Sequence, residues 1–170
     1  MEKKLADQAR SGSMEAFCEL YGLYKDRLYR YALCRLGIPE DAEDAVSECV
    51  LAAWQSIGGL RSSEAFGAWI FRILSNCCAG HIKASIAARE NIEAIYRDSQ
   101  DSACMWQSPA LSAELSEALS QLSDEDRSIV LLSVIGDLNS SEIAELTGLP
   151  PGTIRSKMSR GLAKMRSYLS

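Results

Sequence analysis

The spacing of apolar residues, which recur every three or four positions, most constrains what this chain can fold into. The first stripe contains Phe17, Leu20, Tyr21, Tyr24, Leu28 and Tyr31. Residues at this spacing lie on one face of an α-helix, and the pattern predicts a helix from about Ser13 to Leu36. Over the first 84 residues, no strand-like alternation of apolar and polar residues interrupts the helical patterns.

Two further stripes predict two more helices in the first half of the chain. One continues to Gly58-Gly59, where consecutive glycines end it. The other begins after Ser62-Ser63, where a serine can cap a helix, and fades near Lys83. The apolar members of the two stripes are Ala42, Ala45, Val46, Cys49, Val50, Ala53, Trp54, Ile57, Phe66, Trp69, Ile70, Ile73, Leu74 and Cys77.

The helical pattern weakens between residues 85 and 112, a polar and slightly acidic stretch. Such a composition is typical of a linker, with some helix at its start. A length of 170 residues suits one ordinary domain or two small ones. We therefore expect an all-α protein with two small helical domains, residues 1–84 and 113–170, joined by a flexible linker at 85–112.

The second domain ends in a short helix, a tight turn and a longer helix. Asn139 and Glu142 have the spacing of a capping box, which opens the short helix. Gly148 can supply the left-handed residue of the turn, and Pro151 suits the first position of the next helix. This order predicts a helix-turn-helix, whose second helix places its first residues against base edges in the major groove of DNA.

The charge is uneven along the chain, although the formal net charge is only −5. No acidic residue follows Glu145. The residues that lie off the apolar face of the last helix are Thr153, Arg155, Ser156, Lys157, Ser159 and Arg160. Arginine can bond guanine and lysine can neutralise phosphate, so these residues are candidate DNA contacts. The alternative is a solvated face whose cations complement the helix dipole.

Composition argues against several other classes of protein. No apolar run approaches the roughly 20 residues that cross a bilayer, and the N-terminus turns polar at once, so we expect a cytoplasmic protein without membrane insertion. The six cysteines lack paired spacings, and we expect reduced thiols, most of them buried. Cys77 and His81 lie one turn apart without the further ligands that zinc needs. We expect no metal, no cofactor and no catalytic residue.

Several segments carry strings of residues that are more specific than a helix-turn-helix alone. They are Glu142-Ile143-Ala144, the run from Gly148 to Arg160, and the upstream segments Asp41–Val46 and Ala68–Asn76. The C-terminal string resembles region 4, and the upstream segments resemble region 2, of bacterial RNA polymerase sigma factors of the extracytoplasmic-function group in the sigma-70 family. The resemblance implies a non-enzymatic protein that binds core RNA polymerase and promoter DNA, with an anti-sigma factor as a further partner.

The resemblance also implies roles for individual residues. The helix-turn-helix would read the −35 element as duplex through the six outward residues of the last helix. The residues that would capture the opened −10 strand are Leu60, Arg61, Trp69, Arg72, Asn76 and Lys83. Those that would bind core polymerase are Asp41, Glu43, Asp44, Ser47 and Glu48. The alternatives are core packing for Trp69, and dipole complementation and solubility for the acidic residues.

Two other functions remain open from the sequence alone. Ser47, Val50, Leu60 and Gly80 differ from the residue types common in that family at the matching positions. One alternative is therefore a degenerate sigma-like interaction protein, and another is an ordinary helix-turn-helix regulator; neither would open promoters. The chain has no phosphate-binding loop for ATP, so promoter opening would be driven by binding alone.

Overall fold

The computed structural model describes residues 1–95 and 111–169. Within these ranges the chain forms eight α-helices and two short 3-10 turns, with no strand, which confirms the all-α prediction. The helices are α1 (Glu2–Arg10), α2 (Met14–Leu36), α3 (Pro39–Ser56), α4 (Phe66–Ile95), α5 (Ala113–Ser120), α6 (Asp124–Val134), α7 (Ser140–Thr147) and α8 (Pro151–Leu169). The 3-10 turns are Ile57–Gly59 and Ser63–Ala65.

The helix boundaries follow the capping signals of the sequence. The Ser13 side chain accepts a hydrogen bond from the backbone N–H of Ala16 at the start of α2, and Gly37 ends that helix with φ 78°. Asn139 and Glu142 make both hydrogen bonds of the predicted capping box at the start of α7. Gly148 ends α7 with φ 78°, in the left-handed region that favours glycine. The predicted helix-turn-helix is therefore confirmed in its boundaries.

The first domain is built from α2, α3 and α4, which pack their apolar stripes together. Phe66, Phe71, Leu28 and Tyr31 are fully buried, and the rings of Tyr31 and Phe71 meet edge to face with centroids 5.8 Å apart. Close packing of large buried side chains dominates the stability of a small helical domain. The stripes read from the sequence are the ones that form this core.

The helix α1 was not predicted from the sequence. Only Leu5, Ala6 and Ala9 are buried in it, and they pack against α2 and the two 3-10 turns. Asp7 accepts a hydrogen bond from the Ser63 hydroxyl at the second turn. Three apolar positions in nine residues are too few to show a helical periodicity in the sequence. Tertiary packing therefore stabilises this helix.

The helix α4 is longer than its apolar stripe indicated. It runs to Ile95, whereas the stripe fades near Lys83. Residues 84–92 are exposed, and they include alanine, arginine and glutamate, which favour helix without needing a packing partner. The start of the predicted linker is therefore helical. The rest of it, residues 96–110 with Cys104, lies outside the described residues.

In the second domain, α8 packs across α5, α6 and α7. The backbone of α8 approaches α6 at Gly161, which is buried. A Cβ atom at this position would lie 2.7 Å from Cγ2 of Val130, closer than real carbon contacts allow. This glycine is needed because it lets the two helices approach.

A valine at Gly161 tests this close approach. We expect Gly161→Val to lower the free energy of unfolding by about 1–3 kcal/mol, the usual cost of overpacking a core. The matched control is Gly152→Val near the start of the same helix, where the space around the Cβ position is open apart from an Arg155 nitrogen 4.0 Å away. Urea unfolding followed by circular dichroism measures both. Equal stability of the two variants would contradict the packing argument.

The two domains contact each other, which the apolar spacing could not foretell. Their buried residues form one continuous cluster that includes Leu131 and Leu138 of the second domain. The main contact between helices of different domains joins α2 to α6. The linker therefore connects domains that already touch in the described structure.

Candidate nucleic-acid interface

The second helix of the helix-turn-helix, α8, presents a polar face to solvent. Ile154 is fully buried and anchors the first turns of the helix in the domain core. Thr153 is half-buried beside it. The candidates that are exposed are Arg155, Ser156, Ser159 and Arg160. Two guanidinium groups and two hydroxyls on one helix are groups that bond phosphates and base edges.

Lys157 differs from these candidates because two carboxylates at the start of α6 hold it. Its Nζ lies 3.2 Å from Oε1 of Glu125 and 3.3 Å from Oδ1 of Asp126. The hydrogen bonds to Glu125 and to Asp126 raise the pKa of the Lys157 ammonium. This cation ties α8 to α6, so it is less available to a DNA phosphate than the two exposed arginines.

The candidate strand-binding residues of the first domain follow the start of α4. Trp69, Arg72 and Asn76 are spaced by one turn each, and the two polar members are exposed. Arg61 is exposed in the segment between the two 3-10 turns, and Lys83 is exposed two turns beyond Asn76. These five side chains therefore lie along one edge of the domain.

The two apolar candidates are tied to the core to different degrees. Leu60 is 3% exposed, so its side chain packs inside the domain. Trp69 is half-buried, with its ring centroid 5.7 Å from that of Phe66. The packing role proposed as the alternative for Trp69 is thus present, but the same side chain also lines a cleft.

That cleft lies where the first domain faces α7 and has a volume of about 270 Å³. Arg61, Trp69 and Arg72 line it from the first domain. The residues of α7 that line it are Glu142, Glu145 and Leu146. The cleft brings cations and an aromatic ring opposite two acidic side chains that are close to each other in sequence.

The acidic candidates form a strip along α3. Asp41 is half-buried, and the exposed members are Glu43, Asp44, Ser47 and Glu48. Sequence reasoning missed Leu51, which is 63% exposed and lies one turn beyond Ser47 and Glu48. Its position outside the apolar stripe of α3 was the signal that could have found it. The strip therefore ends in an exposed apolar side chain.

The described cysteines differ in burial. Cys34, Cys49 and Cys78 are buried, Cys77 is half-buried and Cys18 is exposed on α2, so most of the described thiols are buried as expected. Burial raises the pKa of Cys34 to about 11 and that of Cys78 to about 12, which keeps these thiols protonated at neutral pH. His81 pairs with Glu48, with Nε2 and Oε1 3.2 Å apart. Among residues 1–95 and 111–169, no group of three or more potential ligands is placed to hold a metal ion.

A row of polar contacts joins α2 to α6 across the domain boundary. Arg27 donates from Nε to the carbonyl oxygen of Ile135 at 3.0 Å and from Nη2 to that of Gly136 at 2.7 Å. One turn further along α2, the hydroxyls of Tyr31 and Ser128 lie 3.3 Å apart. The contacts begin at the C-terminal end of α6, where the last carbonyls of a helix lack partners of their own.

The row continues with Arg35, which is almost fully buried. Its Nη2 lies 3.4 Å from Oδ2 of Asp124 at the start of α6, and its Nη1 donates to the Tyr31 hydroxyl at 3.1 Å. Contacts toward the end of α2 thus meet residues toward the start of α6, so the two helices run antiparallel. We call this row, formed by Arg27, Tyr31 and Arg35 with their partners on α6, the domain seam.

Comparisons with known proteins agree with this architecture. Family models described as Sigma-70 region 2 and Sigma-70, region 4 match residues 20–85 and 112–165. The chain is 28% identical to the ECF RNA polymerase sigma factor SigW of Bacillus subtilis, over 99% of this chain and 97% of that protein. It is 30% identical to the ECF RNA polymerase sigma factor BldN of Streptomyces coelicolor, over 98% of this chain and 65% of that protein.

A solved structure is similar over nearly the whole length. CnrH in complex with the cytosolic domain of CnrY has a TM-score of 0.71 and 26% identity, covering 99% of this chain and 96% of that one. The chain belongs to the extracytoplasmic-function group of the sigma-70 family of bacterial RNA polymerase sigma factors. It is a promoter-directing sigma factor that works with core RNA polymerase, and a regulator without region 2 is not favoured because both regions match. No helix in the described ranges has the length and apolar character to span a membrane.

Proposed function

We propose that α8 reads the −35 element of the promoter as duplex DNA. The observation that carries this proposal is the exposure of Arg155, Ser156, Ser159 and Arg160 on a helix anchored by buried Ile154. The first residues of such a helix reach base edges, while cations near them bind phosphates. The residues 113–170 are assigned to this function, with Lys157 as a structural cation and Thr153 as a half-buried neighbour.

We propose that the start of α4 holds the opened non-template strand of the −10 element. The Trp69 ring offers a stacking face, and stacking contributes about 1–3 kcal/mol per base. Arg61, Arg72, Asn76 and Lys83 are exposed along the same edge and supply phosphate and base contacts. Leu60 supports the turn from inside the domain. These residues belong to the domain assigned to 1–84, although α4 itself continues to Ile95.

We propose that the strip on α3 docks on core RNA polymerase. Glu43, Asp44, Ser47 and Glu48 are exposed, and Leu51 adds an apolar contact at its end. Docking an exposed leucine removes its apolar surface from water, which supports binding, while the acidic groups select a basic partner surface.

A charge at Leu51 tests the polymerase surface. We expect Leu51→Asp to weaken binding to core polymerase by about tenfold or more, because burying a leucine contributes about 1.5–3 kcal/mol and burying an unpaired carboxylate opposes it. The control is Leu23→Asp, which changes an exposed leucine on α2. Titration of labelled protein with core polymerase measures both. Equal affinity of the two variants would remove Leu51 from the interface.

We propose that the protein acts without chemistry of its own, in the cytoplasm beside polymerase. Two weak DNA contacts on one polymerase gain selectivity from their effective concentration, so binding free energy suffices to hold an opened promoter. The solved relative CnrH is in complex with the cytosolic domain of CnrY. An anti-sigma factor that covers one of the binding surfaces is proposed for this chain on the same family basis.

Run-off transcription with core polymerase tests the proposed function. We compare an intact promoter with the same promoter carrying a pre-melted −10 segment. A competent sigma factor transcribes both templates, since it captures the strand that opens. Transcription from the pre-melted template alone would favour the degenerate sigma-like alternative, and failure to bind polymerase would contradict the proposal.

A further inference from the structure

The helix α1 packs against both 3-10 turns, which lie in the connection from α3 to α4. We call this connection, residues 57–65, the connecting turn. It carries exposed Arg61, one of the residues proposed to hold the opened strand, and it ends about one helical turn before Trp69. The position of the connecting turn therefore decides where the first strand contacts lie.

The backbone of the connecting turn is held by 3-10 hydrogen bonds. The N–H of Leu60 donates to the carbonyl oxygen of Ile57 at 3.1 Å, and the N–H of Ala65 donates to that of Ser62 at 3.0 Å. Hydrogen bonds of this type have poorer geometry than those of an α-helix and act only over short runs. The position of the turn therefore depends on its contacts with other elements.

Two buried residues anchor the connecting turn on either side of an exposed tip. Leu60 is 3% exposed and Ser63 is 5% exposed, whereas Arg61 and Ser62 between them are exposed. Leu60 packs in the hydrophobic core, but Ser63 is polar, and its hydroxyl donates to the Asp7 carboxylate of α1. Because a buried hydroxyl without a partner is costly, this hydrogen bond fixes the second anchor.

Two further polar contacts of α1 reach the same region. The Nζ atom of Lys3 lies 3.0 Å from Oε1 of Glu64; this pair is exposed and adds little to stability. The Tyr24 hydroxyl donates to the Glu2 carboxylate, close to the first turn of α4. A Cβ atom at Gly67 would lie 3.1 Å from that hydroxyl, so the glycine leaves room for it. The helix α1 therefore contacts both the connecting turn and a residue packed against the start of α4.

The tip between the two anchors carries groups that can distinguish bases. The Ser62 hydroxyl accepts a hydrogen bond from the N–H of Glu64 at 3.3 Å, which orients it and leaves its proton for another acceptor. A hydroxyl or a guanidinium can bond a base edge. Such contacts discriminate only when the groups are held within about 0.5 Å of the productive position. A tip without its second anchor therefore keeps its charge but loses selectivity.

We propose that Asp7 of α1 is a positioning residue for base selection in the −10 strand. Its hydrogen bond to Ser63 holds the connecting turn in one position, so that the exposed tip meets the bases in one arrangement. The effect on bases rests on the proposed strand-binding role of this edge, whereas the anchoring of the turn does not. Asp7 acts through Ser63 and contacts no DNA itself, so its loss lowers base discrimination more than overall affinity.

Hydrogen exchange of the full-length chain tests the anchoring without DNA or polymerase. Asp7→Ala removes the acceptor of the Ser63 hydrogen bond, and alanine favours helix more than aspartate does, so α1 is not weakened directly. We expect the backbone N–H groups of Leu60, Glu64 and Ala65 to exchange about tenfold faster in NMR measurements, the loss expected for a hydrogen bond to a charged group. The N–H groups of α6 should exchange as in the parent chain.

Matched variants separate this hydrogen bond from other effects. Asp7→Asn keeps an oxygen that accepts from Ser63, so it should restore slow exchange. Arg10→Ala removes the other partner of Asp7, whose Oδ1 lies 3.7 Å from Nη1 of Arg10, and should also exchange like the parent chain. Ser63→Ala removes the donor instead, and combined with Asp7→Ala it should add nothing, because both break the same bond. Unchanged exchange in both Asp7→Ala and Ser63→Ala would overturn the proposal.

Selection from a randomised promoter pool tests the effect on base choice. The probe is promoter DNA with a pre-melted −10 segment, randomised in its non-template −10 bases and in its −35 element. It is bound to core polymerase carrying the full chain, and the bound fraction is sequenced. We expect Asp7→Ala to lower the enrichment of the preferred −10 bases by about fivefold or more and to keep the −35 preference. Asp7→Asn should restore the −10 preference. A merely destabilised protein would lose both preferences together.

The inference and the proposed function fail in different outcomes. A −10 preference that stays at full strength in Asp7→Ala and Ser63→Ala would overturn the positioning role and leave the proposed function standing. A parent chain that selects no −10 bases would contradict the proposed strand-binding role, and the positioning role in base selection would fall with it. Faster exchange in Asp7→Ala would in that case support the anchoring of the connecting turn alone.

Discussion

Replacing Arg155 or Arg160 with alanine is expected to reduce promoter-dependent transcription by about 5- to 150-fold, which corresponds to about 1–3 kcal/mol for a bidentate contact to a base. Both side chains are exposed on the face of α8 opposite buried Ile154, and the structure places no carboxylate within 4 Å of either guanidinium among the described residues. The loss should appear in promoter affinity, because the polymerase surface on α3 is untouched.

Three controls separate DNA reading from general charge. Lys164→Ala removes an exposed cation from the second half of α8 and should change transcription little. Lys157→Ala removes the cation that pairs with Glu125 and Asp126, so its main effect should be on stability. Binding to core polymerase, measured by titration, should be equal for all variants. Normal transcription by both arginine variants would show that α8 does not read the −35 element.

Replacing Arg127 with methionine is expected to cost about 2–5 kcal/mol in the free energy of unfolding of the second domain. The buried guanidinium donates from Nε to the carbonyl oxygen of Leu119 at 3.0 Å and from Nη2 to that of Leu122 at 3.2 Å. Methionine keeps most of the apolar stem but removes both hydrogen bonds, which contribute about 1.5–3 kcal/mol each when the donor is charged. The Leu119 carbonyl keeps the backbone N–H of Leu122 as a donor, whereas the Leu122 carbonyl loses its guanidinium partner. Small domains have only about 5–15 kcal/mol in total, so the effect is large.

Urea unfolding followed by circular dichroism measures this loss. Arg155→Met is the matched control, because it makes the same change at an exposed arginine of the same domain and should stay within about 0.5 kcal/mol of the parent chain. Burial lowers the pKa of Arg127, yet the guanidinium remains charged near neutral pH. The loss should therefore not depend on pH near neutrality. Equal stability of the two variants would mean that the carbonyls find other partners.

Local signals along the chain were sufficient for most of the helices. The capping box joins Asn139 to Glu142, and the backbone N–H of Gly148 bonds the carbonyl of Ala144. Both interactions lie within four residues, so the sequence predicts them without tertiary structure. The position of Ile154 on the apolar face of α8 was equally local, and the structure buries it completely. The helix α1 was not predicted, since it depends on packing against α2 and the 3-10 turns rather than on a stripe of its own.

The candidate site was harder to read because exposure depends on distant residues. Lys157 and Arg155 are both cations off the apolar face of α8, so the sequence does not distinguish them. In the structure, carboxylates 31 and 32 positions away form ion pairs with Lys157. The family resemblance implies that Leu60 contacts the −10 strand, whereas the structure buries its side chain in the hydrophobic core. Leu51 was not among the predicted site residues, and only the structure shows that it is exposed beside the acidic strip.

The sequence by itself determined that this chain is helical, where α2 and α7 begin and end, and that it closes with a helix-turn-helix whose motif strings resemble those of sigma factors. These properties follow from periodicity, caps and motif strings, all of which act between near neighbours. Only the tertiary structure decided that Arg27 meets the end of α6 and that α7 faces Trp69. The physical reason is that contacts between residues about 75 to 110 positions apart depend on how whole helices pack, which no local pattern encodes.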